Sequence, residues 1–251
     1  MIENKKYIQF EKLNEVSEII HLFTKRPFNF SKITSTEEKI KEEYQEIEDI
    51  FHYKFTTIKK PIQTHTNIVK VVNENNIEND FQDVDGLITN MKGVALVTSL
   101  ADCQGILLYD PKNKVIGNIH SGWKGTLNKI VGNAVSIMEQ EFHCNPQDIE
   151  AFICPSILKC CFEVDKDVVE MFQENFDDIN EFVFEGEIKE GKQKYFIDTI
   201  GINKRYLQSL GLKKEHITSS DICTKCNASQ YHSYRVDHEK SGRNIALICI
   251  K

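Results

Sequence analysis

The chain has 251 residues, 40% of them hydrophobic and 27% charged, which suffices for a full core and excludes a disordered or low-complexity segment. Thirty-eight acidic against thirty-one basic residues give a net charge of -7, the wrong sign for an electrostatic nucleic-acid binder. No window holds the roughly 18 apolar residues that span a bilayer, and the opening MIENKKYIQFEKLNE lacks an apolar signal core, so a cytoplasmic protein with no membrane partner is expected.

Residues 36–49 (TEEKIKEEYQEIED) alternate Glu and Lys with sparse apolar residues, as an exposed helix or mobile insertion does. Strands are expected at 68–72 (IVKVV), 94–98 (VALVT), 106–109 (ILLY) and 115–120 (VIGNIH). Between the last two, Asp110-Pro111-Lys112-Asn113-Lys114 has the composition of a tight turn and predicts a β-hairpin. The period then changes: Leu127, Ile130, Val131, Ala134, Val135 and Met138 predict one amphipathic helix over 127–142, entered through the Ser121-Gly122-Trp123-Lys124-Gly125 turn. Two more helices are expected at 165–176 and 198–210, each begun by a capping Asp and the second ended by Gly211. Strands at 230–235 and 244–250 close the chain. With five prolines and twelve glycines scattered and no repeat or linker, a single domain over 1–251 of mixed-sheet α/β (α+β) class is expected.

Eight cysteines are too dilute for a disulfide scaffold, so each is expected to be a thiol serving as core filler, ligand or nucleophile. If the hairpin turn is centred between Pro111 and Lys112, Cys103 and His120 lie opposite one another on one face, with Cβ atoms about 5 Å apart. A one-residue slip would put them on opposite faces. His65, at the edge of the 68–72 strand, is the best third ligand. Two histidines and a cysteine with one open position form a catalytic zinc arrangement, although packed side chains are the plainer alternative for each residue. The Cys223-Thr-Lys-Cys226 motif has no second pair at the spacing of a zinc site and is expected not to bind metal, and Cys160-Cys161 are expected to be buried thiols.

The segment ADCQGILLYDPKNKVIGNIHSGWKG resembles the signature of the bacterial laccase-domain family, a group also labelled polyphenol oxidase or multicopper polyphenol oxidoreductase. The likeness continues through Gln63-Thr64-His65, Pro155-Ser156-Ile157, Cys160-Cys161-Phe162-Glu163-Val164, Asp221-Ile222-Cys223-Thr224, Ser233-Tyr234-Arg235 and Gly242-Arg243. It implies an αββα layered sandwich, zinc ligands at His65, Cys103 and His120, and a purine nucleoside phosphorylase that also deaminates adenosine. The chain departs from the family pattern at Gly105 (usually Pro), Lys124 (usually Arg), Cys154 (usually Gly) and Val236 (usually Arg), and Phe23-Thr24-Lys25-Arg26 runs into an unusual PFNFSKI.

Copper is the alternative metal, and a copper-dependent polyphenol oxidase the alternative activity. Multinuclear copper clusters draw on many imidazoles, however, and none of the eight histidines forms a His-x-His pair. Phosphorolysis requires cations for phosphate, and the candidates are Arg26, Lys124, Arg235 and Arg243. Asp102 is a candidate to orient a ligand or move a proton, Glu163 to bond base or ribose, and Trp123 either to stack on a purine or to pack a helix start. The expected partners are a purine nucleoside and phosphate, with the chain acting as monomer or homodimer. Two rivals are a metal-free hydrolase or deamidase in which His120 activates Cys103, and a non-catalytic metal-binding module.

Overall fold

The computed structural model describes residues 1–251. Its strands are β1 (Ile2–Glu3), β2 (Tyr7–Gln9), β3 (Ile19–Thr24), β4 (Thr57–Lys59), β5 (Val69–Val71), β6 (Gly86–Thr89), β7 (Val94–Leu100), β8 (Gln104–Asp110), β9 (Val115–Ser121), β10 (Glu150–Ile153), β11 (Glu163–Val164), β12 (Val183–Lys189), β13 (Lys192–Ile197), β14 (Ile217–Ser219) and β15 (Asn244–Ile250). The α-helices are α1 (Glu11–Asn14), α2 (Glu37–Phe51), α3 (Trp123–Leu127), α4 (Ile130–Phe142), α5 (Lys166–Asn175), α6 (Thr199–Ser209) and α7 (Tyr234–Asp237).

Two six-stranded mixed sheets, ordered β1-β2-β3-β15-β7-β4 and β14-β10-β8-β9-β6-β5, pack face to face, and a small antiparallel sheet β11-β13-β12 stands beside them. Residues of both large sheets share the central core, among them Phe23, Leu96 and Ile248 from one and Leu107, Ile116 and Phe152 from the other. On its outer face the first sheet is covered by α2 through Ile47, while the second is covered by α4 and α6 through Val131, Ala134, Val135, Met138 and Leu207. This is the αββα arrangement. It explains why β7, β8, β9 and β15 are buried along nearly their whole length and are mostly apolar, since strands covered on both faces have no solvent side to alternate with. No helix is long and apolar enough to cross a membrane.

Residues 36–49 fall in α2, capped by the Thr36 side chain and anchored by buried Glu43 and Ile47. The expected 127–142 helix is interrupted: Asn128 leaves the helical region and Lys129 adopts φ +59, so α3 ends at Leu127 and α4 starts anew at Ile130. Asp198 caps α6 by accepting from the Gly201 N–H at 2.9 Å, and Gly211, at φ +102, follows its end. Asp165 stands before α5 without capping it, because its carboxylate pairs with Lys194. The expected 230–235 strand is absent: a turn closes on Asn227, and Tyr234–Asp237 is a short helix.

His21 illustrates how burial couples this fold to pH. Only 1% exposed on β3, it accepts the Phe10 N–H at Nε2 (2.8 Å), and burial holds its imidazole neutral with a pKa lowered to about 3. The unfolded chain therefore binds a proton below about pH 6.5 that the folded chain refuses. We predict that stability falls on acidification from about 6.5 toward 3 by about 1.4 kcal/mol per pH unit from this group. His21→Gln flattens that slope in urea unfolding at stepped pH, and an unchanged slope contradicts the assignment.

Candidate metal centre

The β8–β9 hairpin carries the site. Its register places Gly105 opposite His120 and Gln104 opposite Ser121, so the loop runs Pro111 to Lys114 and the expected direct Cys103–His120 pairing is shifted by two residues. A shift of two preserves the face, because side chains alternate with period two. Cys103 therefore lies diagonally from His120 on its face, just beyond the end of β8.

His65 arrives from the loop between β4 and β5 with φ +64, a left-handed conformation costly for a non-glycine residue. Asp85, fully buried beside β6, holds it there. The Asp85 carboxylate accepts the backbone N–H groups of Thr64 (3.3 Å), His65 (3.1 Å) and Thr66 (2.7 Å), and the Thr66 hydroxyl at 2.7 Å. The same carboxylate lies 2.6 Å from His120 Nδ1. One buried anion thus fixes the backbone of one ligand and the ring of another, leaving His120 Nε2 to face the site.

The donor atoms of His65, Cys103 and His120 all lie within 4.8 Å of one another, and Cys103 Sγ is 3.8 Å from His65 Nε2. Gly122 makes room for them: a Cβ there would stand 2.8 Å from His65 Cδ2 and 3.1 Å from Cys103 Sγ. Electrostatics already favour an anionic sulfur. Burial pushes the Cys103 thiol up, but the His120 imidazole beside it outweighs this and brings it down to about 6. For His120, burial pushes down, while the Cys103 sulfur and Asp85 raise it to about 9. Asp85, although desolvated, is held down to about 2 by its bonds to His120 and Thr66. Two imidazoles and a thiolate suit zinc or copper. The group holds two imidazoles and one sulfur and no third imidazole, so the donors fit one ion and not a multinuclear copper cluster.

The other candidate residues fall into two sets. Asp102, only 9% exposed and at φ +79, spends its carboxylate on Thr224 Oγ1 (2.6 Å), Ser233 Oγ (3.0 Å) and the Arg235 N–H (2.7 Å). It organises two loops behind Cys103, and the carboxylate bonded to the imidazole ligand is that of Asp85, which sequence reasoning missed. Nothing in Asp83-Val84-Asp85-Gly86 distinguishes the buried from the exposed aspartate except the apolar strand that follows. Arg235 Nη1 bonds the Glu163 carbonyl at 3.2 Å. Glu163 itself pairs with Lys189. Arg26 pairs with Asp237 at 2.6 Å, and Arg243 Nη1 bonds the carbonyls of Ser241 and Gly242. Lys124 is exposed, its Nζ 5.7 Å from the Trp123 ring, while Trp123 packs partly buried beside Phe172 and Ile202.

Comparison with known proteins shows the family and the fold. Residues 21–251 match the family model described as multi-copper polyphenol oxidoreductase laccase. A Bacteroides thetaiotaomicron protein named purine nucleoside phosphorylase is 30% identical over 266 aligned residues, covering 99% of this chain and 97% of that one. A protein named adenosine deaminase RL5, from an unknown prokaryotic organism, is 30% identical over 195 residues, 75% of this chain and 73% of its own. The crystal structure of YlmD from Geobacillus stearothermophilus superposes with a TM-score of 0.86 at 22% identity, covering 100% of this chain and 98% of that one. By the match across β3 to the final residue and by relatives aligned over most of their length, the chain belongs to the multi-copper polyphenol oxidoreductase laccase family.

Proposed function

We propose that the protein is a zinc-dependent purine nucleoside phosphorylase, converting adenosine, inosine or methylthioadenosine to free base and ribose 1-phosphate, with adenosine deamination as a side activity. The observation that carries this reading is the convergence of His65, Cys103 and His120 around one point with Asp85 behind them. The names of the Bacteroides relative and of the deaminase RL5 support the reaction pair. A zinc ion held by three protein donors keeps one position for a reactant and supplies Lewis acidity there.

The chain's own residues divide the remaining work. Asp85 fixes the His120 tautomer, and Asp102 positions Cys103 by gathering Thr224, Ser233 and Arg235. Phosphate is assigned to Lys124, which is exposed beside Trp123, and to Arg235, which bonds the Glu163 carbonyl but lacks the carboxylate partner that Arg26 has in Asp237. Arg26 and Arg243 shape the neighbouring loop through their backbone and side-chain bonds. Incubating zinc-loaded protein with adenosine, with and without phosphate, tests the reading. The expected result is adenine release that depends on phosphate and falls at least about tenfold in Lys124→Ala, since a cation bonded to phosphate contributes about 1.5–3 kcal/mol. Inosine as the sole product overturns phosphorolysis.

One observation favours a second reading. Asp85, His120 and Cys103 form a carboxylate–imidazole–thiolate chain, the arrangement of a metal-free cysteine hydrolase. Turnover that survives complete removal of metal would support it over the zinc reading.

A further inference from the structure

Far from Cys103 in sequence, four more cysteines meet. The sulfurs of Cys160, Cys161, Cys223 and Cys226 all lie within 4.8 Å of one another. Cys161 and Cys226 are 3.4 Å apart, Cys160 and Cys226 3.7 Å, and all four are free thiols. A disulfide would bring a pair to about 2.05 Å. In a tetrahedral zinc tetrathiolate with bonds of about 2.3 Å, neighbouring sulfurs stand about 3.8 Å apart, a spacing that a cluster with sulfurs 3.4 and 3.7 Å apart and all within 4.8 Å reaches with small shifts. The expectation from sequence, that the Cys223–Cys226 motif lacks a partner pair and that Cys160 and Cys161 are buried, is therefore corrected. Cys160 is exposed and Cys161 half-buried, and together they are the partner pair.

The backbone is folded for this purpose. Ser156 bridges Cys223 in parallel, with Ser156 donating to the Ile222 carbonyl (3.3 Å) and Thr224 to the Ser156 carbonyl (3.0 Å), so the two cysteine-bearing loops run side by side. After Cys223 the chain turns back, Asn227 bonding the Cys223 carbonyl through its N–H (3.1 Å) and its side chain (2.9 Å). Cys223 is only 4% exposed, and although burial pushes its thiol up, the nearby backbone of Leu158 and Cys226 and the neighbouring Cys160 and Cys226 thiols bring it below the usual thiol value.

We propose that Cys160, Cys161, Cys223 and Cys226 bind a second zinc ion in a closed tetrathiolate site that is structural. With four protein ligands no position remains for a reactant. Binding displaces the thiol protons to solvent, so occupancy weakens as pH falls. The ion ties together the two loops that grip Asp102: the Ile157 N–H donates to the Asp102 carbonyl at 2.8 Å, and the Thr224 hydroxyl to its carboxylate at 2.6 Å. Asp102 directly precedes Cys103, so this site holds the first one in place from behind.

The test reloads full-length protein with zinc under reducing conditions and then removes unbound metal. Wild type is compared with Cys103→Ser and with the double variant Cys223→Ser, Cys226→Ser. Cys103→Ser leaves the four-sulfur cluster intact and is expected to retain about one zinc, whose X-ray absorption shows a shell of sulfur alone at about 2.3 Å. In the double variant that sulfur-only shell is lost. The proposal is overturned if Cys103→Ser holds no zinc, if its zinc has nitrogen or oxygen ligands, if iron occupies the cluster after expression in medium supplying both metals, or if mass spectrometry of the reduced, natively purified chain shows these cysteines paired as disulfides. These outcomes read metal and ligand shell without turnover, so they stand apart from the fate of the phosphorylase reading.

Discussion

Cys103→Ser is expected to empty the two-histidine centre and lower both phosphate-dependent adenine release and inosine formation by more than about 100-fold, with the fold retained. The reason is chemical. A hydroxyl is not deprotonated where a thiol is, and the pull that brings Cys103 down to about 6 comes from a neighbouring imidazole that cannot do the same for an alcohol. Removing even an outer partner of a metal ligand costs about 10–100-fold in affinity or activity, so loss of a ligand costs more. Cys103 is only half-buried and packs at the margin of the central core, so replacing its sulfur by oxygen leaves the sheets in register. Metal content, the two product rates and the circular dichroism spectrum check this together. Unimpaired turnover in the variant refutes the site.

Asp85→Asn is the second large effect, and it acts on stability and metal together. Asp85 accepts four hydrogen bonds from residues 64–66 and faces His120 Nδ1, all with no exposed surface. An amide has one acceptor oxygen and turns an NH2 group toward donors, so at least two of these bonds become repulsive contacts. Breaking one side of a buried charged network costs about 3–5 kcal/mol, and loss of the His120 orienting bond costs about 10–100-fold in zinc affinity. Because the carboxyl is held down to about 2, its contribution is complete above the unfolded value near 3.9 and is lost as pH falls through that window toward 2. Urea unfolding and zinc titration measure the two effects. Stability within about 0.5 kcal/mol of wild type, with unchanged zinc affinity, would show that Asp85 is incidental.

How much of this was legible in the sequence depends on the range of the physics involved. The buried strands and the hairpin are short-range features, and their apolar runs announce them. The pairing of Cys103 with His120 survived an incorrect turn centre only because the error was two residues and not one, which keeps parity. The α3–α4 break turns on one residue, Lys129 in a left-handed conformation, and an apolar period that continues across it hides the break. At 230–235 Tyr231 and Tyr234 among polar residues mimic a strand, but the chain there is ordered by Asp102, more than 130 positions earlier, which takes the Arg235 N–H and the Ser233 hydroxyl. Asp85 and the four-cysteine cluster were invisible for the same reason. Their partners are assembled by sheet order, and no local spacing reports it.

The central claim is that His65, Cys103 and His120 share one ion, and anomalous diffraction at the zinc edge from crystals of the zinc-loaded protein tests it most directly. The account predicts a peak about 2.0–2.1 Å from one nitrogen each of His65 and His120 and about 2.3 Å from Cys103 Sγ. Fully loaded protein with no peak among these three atoms, and phosphate-dependent adenine release undiminished, would contradict it.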